Sequence, residues 1–102
     1  MYDLMYHAKA KKDMDSIAKY ITDDLSNPKA ANNLIIEMVN SANNLKGFPY
    51  INPVYIPYHP LKHEYRRLIV KNYIMFYYIN EVKKLITIAR VLYSGMDYNR
   101  FL

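Results

Sequence analysis

The sequence predicts an α+β domain: an N-terminal strand, an α-helical hairpin, then a three-stranded antiparallel sheet and a short C-terminal helical turn. Three observations lead there. Apolar residues recur at helical spacing through the first half, the Asn27-Pro28 pair divides that half in two, and from Tyr65 onward the apolar period changes to two. With 102 residues, 52% of them hydrophobic, residues 1–102 read as one domain with material for one core.

Tyr2 to Tyr6, apolar with a single acid, reads as the first strand. Met14, Ile17, Ala18, Ile21 and Leu25 then form the apolar stripe of an amphipathic helix over residues 8–25, with lysines and aspartates filling its other faces. Ser26-Asn27-Pro28 interrupts it: the residue before a proline is pushed out of the helical region, and asparagine followed by proline suits a new helix start. The second helix carries Ala31, Leu34, Ile35, Met38, Ala42 and Leu45 on one stripe and ends at Gly47. The short connection makes the two an antiparallel pair. Residues 48–64 hold the four remaining prolines, Pro49, Pro53, Pro57 and Pro60, which excludes a helix or a central strand and predicts a long surface loop. The three strands follow, turning at Asn72 and at Asn80-Glu81-Val82-Lys83, and Ser94-Gly95 stops the last. Met96 to Leu102 is read as a closing helical turn. Strict alternation would set Leu85, Thr87, Ala89, Val91 and Tyr93 on one face and Ile86, Ile88, Arg90 and Leu92 on the other. One face packs on the helices; the other curves on itself or takes a partner.

The net charge of +5 lies in the second half. Residues 1–50 balance six lysines with six acids, whereas residues 51–102 carry eight Lys and Arg against three acids. That asymmetry suits a ribosome, nucleic acid or an acidic protein partner. The absence of cysteine excludes a disulfide framework and a Cys-based zinc site or nucleophile, and fits the cytoplasm. No apolar run approaches the roughly 20 residues of a membrane span, and the N-terminus lacks a signal-peptide layout, so a soluble cytoplasmic chain is expected. Two glycines far apart make no phosphate loop, and no cofactor is expected.

Three stretches resemble the RelE/ParE superfamily of toxins from type II toxin–antitoxin modules. They are Ala8-Lys9-Ala10-Lys11-Lys12-Asp13-Met14, Tyr65-Arg66-Arg67-Leu68-Ile69-Val70-Lys71-Asn72-Tyr73-Ile74-Met75-Phe76-Tyr77 and Ile88-Ala89-Arg90-Val91-Leu92-Tyr93-Ser94-Gly95-Met96-Asp97. The resemblance implies a β-α-α-β-β-β fold and an antitoxin peptide that wraps and neutralises the toxin, with operator DNA reached only through the antitoxin. A basic, partly apolar sheet face would suit an acidic amphipathic segment that folds on binding. Two activities divide the superfamily. RelE-like members cut messenger RNA on the ribosome, which requires a base for the 2′-hydroxyl, cations for the phosphorane and an acid for the leaving oxygen. ParE-like members act on DNA gyrase without that set. The position of the nuclease arginine falls here on Ile74, ahead of Met75-Phe76-Tyr77, and Met96-Asp97-Tyr98-Asn99-Arg100 resembles the ParE-like ending. The ParE-like branch is therefore favoured, with the helical hairpin and residues 96–102 as candidate target contacts. A RelE-like ribosome-dependent endoribonuclease is the alternative, and an inactive remnant serving as an antitoxin-binding corepressor a third.

For a nuclease, the candidate catalytic residues are His63, Arg67, Arg90 and Tyr93, with Lys62 and Lys71 adding charge. For antitoxin or target binding they are Lys62, Arg66, Arg67, Lys71, Arg90, Met96, Asp97 and Arg100. Arg66 and Arg67 are adjacent on a strand and so point to opposite faces. Arg90, among Ile88, Val91 and Leu92, requires a carboxylate, backbone carbonyls or a partner, with Asp97 and Glu64 the in-chain acids considered. His59 and His63 flank Pro60 and have no obvious third ligand, so no metal site is expected. Tyr73, Tyr77 and Tyr78 are read as core or half-core, like the Met14/Ile17/Ile21 and Leu34/Ile35/Met38 stripes.

Overall fold

The computed structural model describes residues 1–102. Its elements are β1 (Asp3–Tyr6), α1 (Ala8–Lys19), a π-helical segment (Tyr20–Asp24), α2 (Pro28–Asn44), β2 (Arg66–Val70), β3 (Tyr73–Asn80), β4 (Leu85–Tyr93) and the single turn α3 (Tyr98–Phe101). The strands form one sheet in the order β1-β4-β3-β2, with β1 parallel to β4 and the other pairs antiparallel. The hairpin α1–α2 is the crossover that allows the chain to return parallel to its first strand.

Both helix starts are capped by side chains. The His7 imidazole accepts from the Lys9 amide at 3.1 Å, and Asn27 Oδ1 accepts from the Ala30 amide at 3.1 Å with Pro28 opening α2. The first helix departs from the expected regular span of 8–25. After Lys19 it widens into the π segment, with the Leu25 amide reaching back to Tyr20 C=O and the Asn27 amide to Ile21 C=O, and Ser26 in the left-handed region (φ 50°) completes the reversal.

On the helix side of the sheet, Val70, Met75, Tyr77, Ile86, Ile88 and Val91 pack against Ala10, Met14, Leu34, Met38, Ala42 and Leu45. Full burial of each large side chain contributes about 2 kcal/mol, which makes this cluster the main source of cohesion. Strict alternation along β4 does not hold. Phe76 faces Arg90 while Tyr77 faces Ile88, leaving Ala89 as the extra residue of a β-bulge. The bulge resets the strand, so Ile86 and Ile88 join Val91 on the helix side, and Ala89 and Leu92 join Ile74 and Phe76 on the other.

That second face is covered by the chain itself. Tyr55 and Leu61 from the proline-rich segment and Tyr98, Phe101 and Leu102 from the C-terminus pack on Tyr65, Ile74, Phe76, Ala89 and Leu92. Tyr55 donates to Asn99 Oδ1 at 2.6 Å, Tyr58 to Asp97 at 2.7 Å, and Asn99 Nδ2 to His59 C=O at 3.1 Å, fastening the two coverings together. No helix is long and apolar enough to cross a membrane.

Candidate functional site

Arg90 is the most constrained of the residues singled out from the sequence, and its partner is Asp13 on α1, not Asp97 or Glu64. Its Nε and Nη2 each donate to the Asp13 carboxylate at 2.8 Å, and Nη1 donates to Phe101 C=O at 3.1 Å. The local sequence explains the placement. β1 pairs with β4 only as far as Ile88, so beyond it α1 lies where a strand would continue, and Asp13 Oδ2 accepts the Val91 amide at 2.9 Å. One carboxylate thus satisfies a guanidinium and an orphan backbone donor, with both side chains less than a fifth exposed. Hydrogen bonding to Asp13 pushes the Arg90 pKa still higher, against the opposing effect of burial. Glu64 lies 4.0 Å from Arg66, and Asp97 accepts from Tyr58.

Arg66 and Arg67 do point to opposite faces. Arg66 lies opposite Tyr77 on the helix side, past the end of the hairpin, where Nη1 donates to Asn52 C=O at 2.7 Å and the guanidinium sits 5.0 Å from the centre of the Tyr50 ring. Arg67 lies opposite Phe76 on the second face, with its Nε buried and without an in-chain acceptor. Arg67, Phe76 and Arg90 therefore form one row across β2, β3 and β4.

The remaining candidates separate into two places. Lys62, His63 and Arg90 line a shallow cleft of about 290 Å³ together with Lys9, Tyr78 and the C-terminal residues. In it His63 stacks flat on Tyr78, ring centres 3.7 Å apart and planes within 2°. Burial, then the neighbouring Lys62 charge, lowers the His63 pKa below the ordinary histidine value and so favours the neutral imidazole. Lys71 and Tyr93 instead line a groove of about 960 Å³ between the π segment, α2 and the β2–β3 turn, with Ile17, Tyr20, Leu25 and Tyr73. His59 contributes a backbone carbonyl, and its ring packs edge-on to Tyr58. Met96 and Arg100 are exposed, and Asp97 is tied to the loop through Tyr58. Ile74 is 6% exposed in the second core cluster.

Two features escaped sequence reasoning. Asp13 is the first: an acid directly beside the core residue Met14 was a detectable sign that the helix brings charge to the sheet. The second is Glu81, in the β3–β4 turn, which accepts from Tyr2 at 2.8 Å and from Tyr50 and pairs with Lys84. Those bonds, Lys84 first, bring its pKa down to about 2, and the Glu81 bond raises that of Tyr50 to about 12.

A helical hairpin that carries the chain from one edge strand, β1, to the opposite edge strand, β2, with β3 and β4 filling the sheet between them, defines the small α+β fold of the RelE/ParE superfamily. It superimposes on a chain of the chromosomal ParDE toxin–antitoxin system from P. aeruginosa with a TM-score of 0.73 at 18% identity, over 93% of this chain and 98% of that one. It also matches a chain of the archaeal RelE–RelB complex from Pyrococcus horikoshii OT3, with a TM-score of 0.61 at 19% identity, over 92% and 96% of the two chains. No curated protein matches significantly. The family model described as the ParE toxin of the type II toxin–antitoxin system parDE matches residues 4–98, and the chain belongs to that toxin family.

Proposed function

We propose that this toxin arrests growth in the cytoplasm by binding DNA gyrase, and that a cognate antitoxin segment neutralises it. The observation that carries the reading is the state of Arg90. A guanidinium held by the Asp13 carboxylate and the Phe101 carbonyl, beneath its own C-terminal turn, is a structural tie and is not free to neutralise a phosphorane. Ile74 occupies a buried core position in the adjacent strand, and the nominated catalytic side chains divide between separate grooves, Tyr93 in one and His63 with Arg90 in another. A toxin that binds its target needs no such set. Membership of the ParE family supports the same branch.

One observation favours the endoribonuclease as a second reading: Lys62, His63 and Arg90 share one cleft. The two are separated by incubating purified toxin with gyrase and relaxed DNA, and in parallel with translating ribosomes and messenger RNA. The proposal expects inhibited supercoiling or trapped gyrase–DNA complexes with intact message. Message cleavage with unimpaired gyrase would overturn it.

A further inference from the structure

One end of the molecule carries three bulky apolar side chains that the fold leaves in solvent. Phe48 is 68% exposed, Ile51 71% and Val82 95%. They come from two turns far apart in sequence, the exit of α2 and the β3–β4 turn. Glu81 binds those turns together by accepting from Tyr50 and Tyr2 while pairing with Lys84. The Tyr2 amide donates to Lys46 C=O at 3.1 Å, the Ile51 amide to Phe48 C=O at 3.3 Å and the Tyr77 hydroxyl to Pro49 C=O at 2.8 Å, so this end is held from three sides. Apolar side chains exposed on a mobile tip are unremarkable, but on a rigid one they are pre-organised for contact.

Shape and charge restrict what fits. Phe48, Ile51 and Val82 line none of the four main grooves of the molecule, so they project outward, a poor seat for an extended peptide. Lys46 precedes Phe48 by two residues and Lys83 follows Val82, the N-terminal amine is one residue from Tyr2, and Lys84 and Glu81 cancel each other; Asp3, beside Leu85, is the one further acid at this end, so the balance there stays positive. A second copy would bring the same lysines against themselves. We infer that this end is a preformed knob that seats in an apolar cleft, rimmed by carboxylates, on the folded protein the toxin acts on. The inference rests on the reading above that the toxin acts by binding gyrase. It places the contact at the two turns, away from the helical hairpin and residues 96–102 expected from the sequence.

The test measures affinity for purified gyrase by surface plasmon resonance, with wild type, Phe48→Ser/Ile51→Ser, Lys46→Glu/Lys83→Glu and, as a control for exposed apolar loss elsewhere, Ile36→Ser/Val39→Ser on α2. Thermal melting confirms that each variant is folded. The first two double variants are expected to bind at least tenfold more weakly, the lysine variant mainly through slower association that responds less to salt, and the α2 control within twofold of wild type. No binding by wild type would refute the gyrase reading itself. Wild-type binding that the knob variants retain, or that the α2 variant loses equally, would overturn the knob alone. Concentration-dependent dimerisation of wild type, or its cosedimentation with anionic vesicles, lost in the knob variants while gyrase binding persists, would also overturn it.

Discussion

Replacing Asp13 with alanine removes the acceptor for Arg90 Nε, Arg90 Nη2 and the Val91 amide at once. Breaking a buried ion pair from one side costs roughly 3–5 kcal/mol, because the remaining charge stays desolvated. The side chains keep 19% and 15% exposure, which lets water partly replace the partner, so the lower end, about 3 kcal/mol, is expected. Small domains have about 5–15 kcal/mol in total, so the variant stays folded in the cold but melts about 15 °C earlier. In urea, with a slope of about 1.5 kcal/mol/M, the midpoint falls by about 2 M. Arg90→Ala is expected to cost less than Asp13→Ala, since Asp13 still caps Val91. The double variant is expected to cost scarcely more than Asp13→Ala, a coupling of about 2 kcal/mol. Additive single costs, or an Asp13→Ala midpoint within about 0.3 M of wild type, would refute the account of Arg90 as a structural tie.

Glu81, held near pKa 2 in the fold, contributes stability that is complete above the ordinary carboxylate range and lost as pH falls through about 2, so Glu81→Gln should flatten the stability profile between about pH 4.5 and 2. Its partner Tyr50 has a raised pKa, so its share is complete below about pH 10 and lost as pH rises through about 12; Tyr50→Phe should remove that alkaline dependence in urea titrations. His63 should titrate below the ordinary histidine value in NMR, and Tyr78→Ala, which opens its stack to water, should move it upward; an unchanged midpoint would place the cause elsewhere. Asn27→Ala, removing the α2 cap, should cost about 1 kcal/mol by urea unfolding, whereas Asn27→Ser should cost much less.

The element order was legible because each piece had a local cause. The Met14 and Leu34 stripes, the Asn27-Pro28 break and the switch to alternation after Tyr65 each act within a few residues, and all appear in the fold. What was not legible depends on contacts distant in sequence. The Asp13–Arg90 pair spans 77 residues, and its second purpose, capping Val91, arises only because β1 stops pairing at Ile88. No glycine or proline marks the bulge at Ala89, so alternation assigned Val91 to the wrong side. The π segment likewise carries no breaker of its own; its widening is coupled to the reversal at Ser26. For the candidate site, the sequence nominates basic and aromatic residues but does not show how the fold distributes them. Arg66 and Arg90 are occupied inside the chain, while Lys71 and Tyr93 lie in a separate groove from Lys62 and His63. The covering of the second face by Tyr55, Tyr98 and Phe101 could not be read from a loop whose prolines only exclude regular structure.

The central claim, that this ParE-family toxin stops growth through gyrase and not through message cleavage, is tested most directly by controlled expression with both readouts in the same culture. Gyrase trapped on DNA while messenger RNA 5′ ends remain unchanged is the result the account predicts. New cuts within translated messages, lost on His63→Ala with the protein still folded and accompanied by no gyrase complexes, would contradict it.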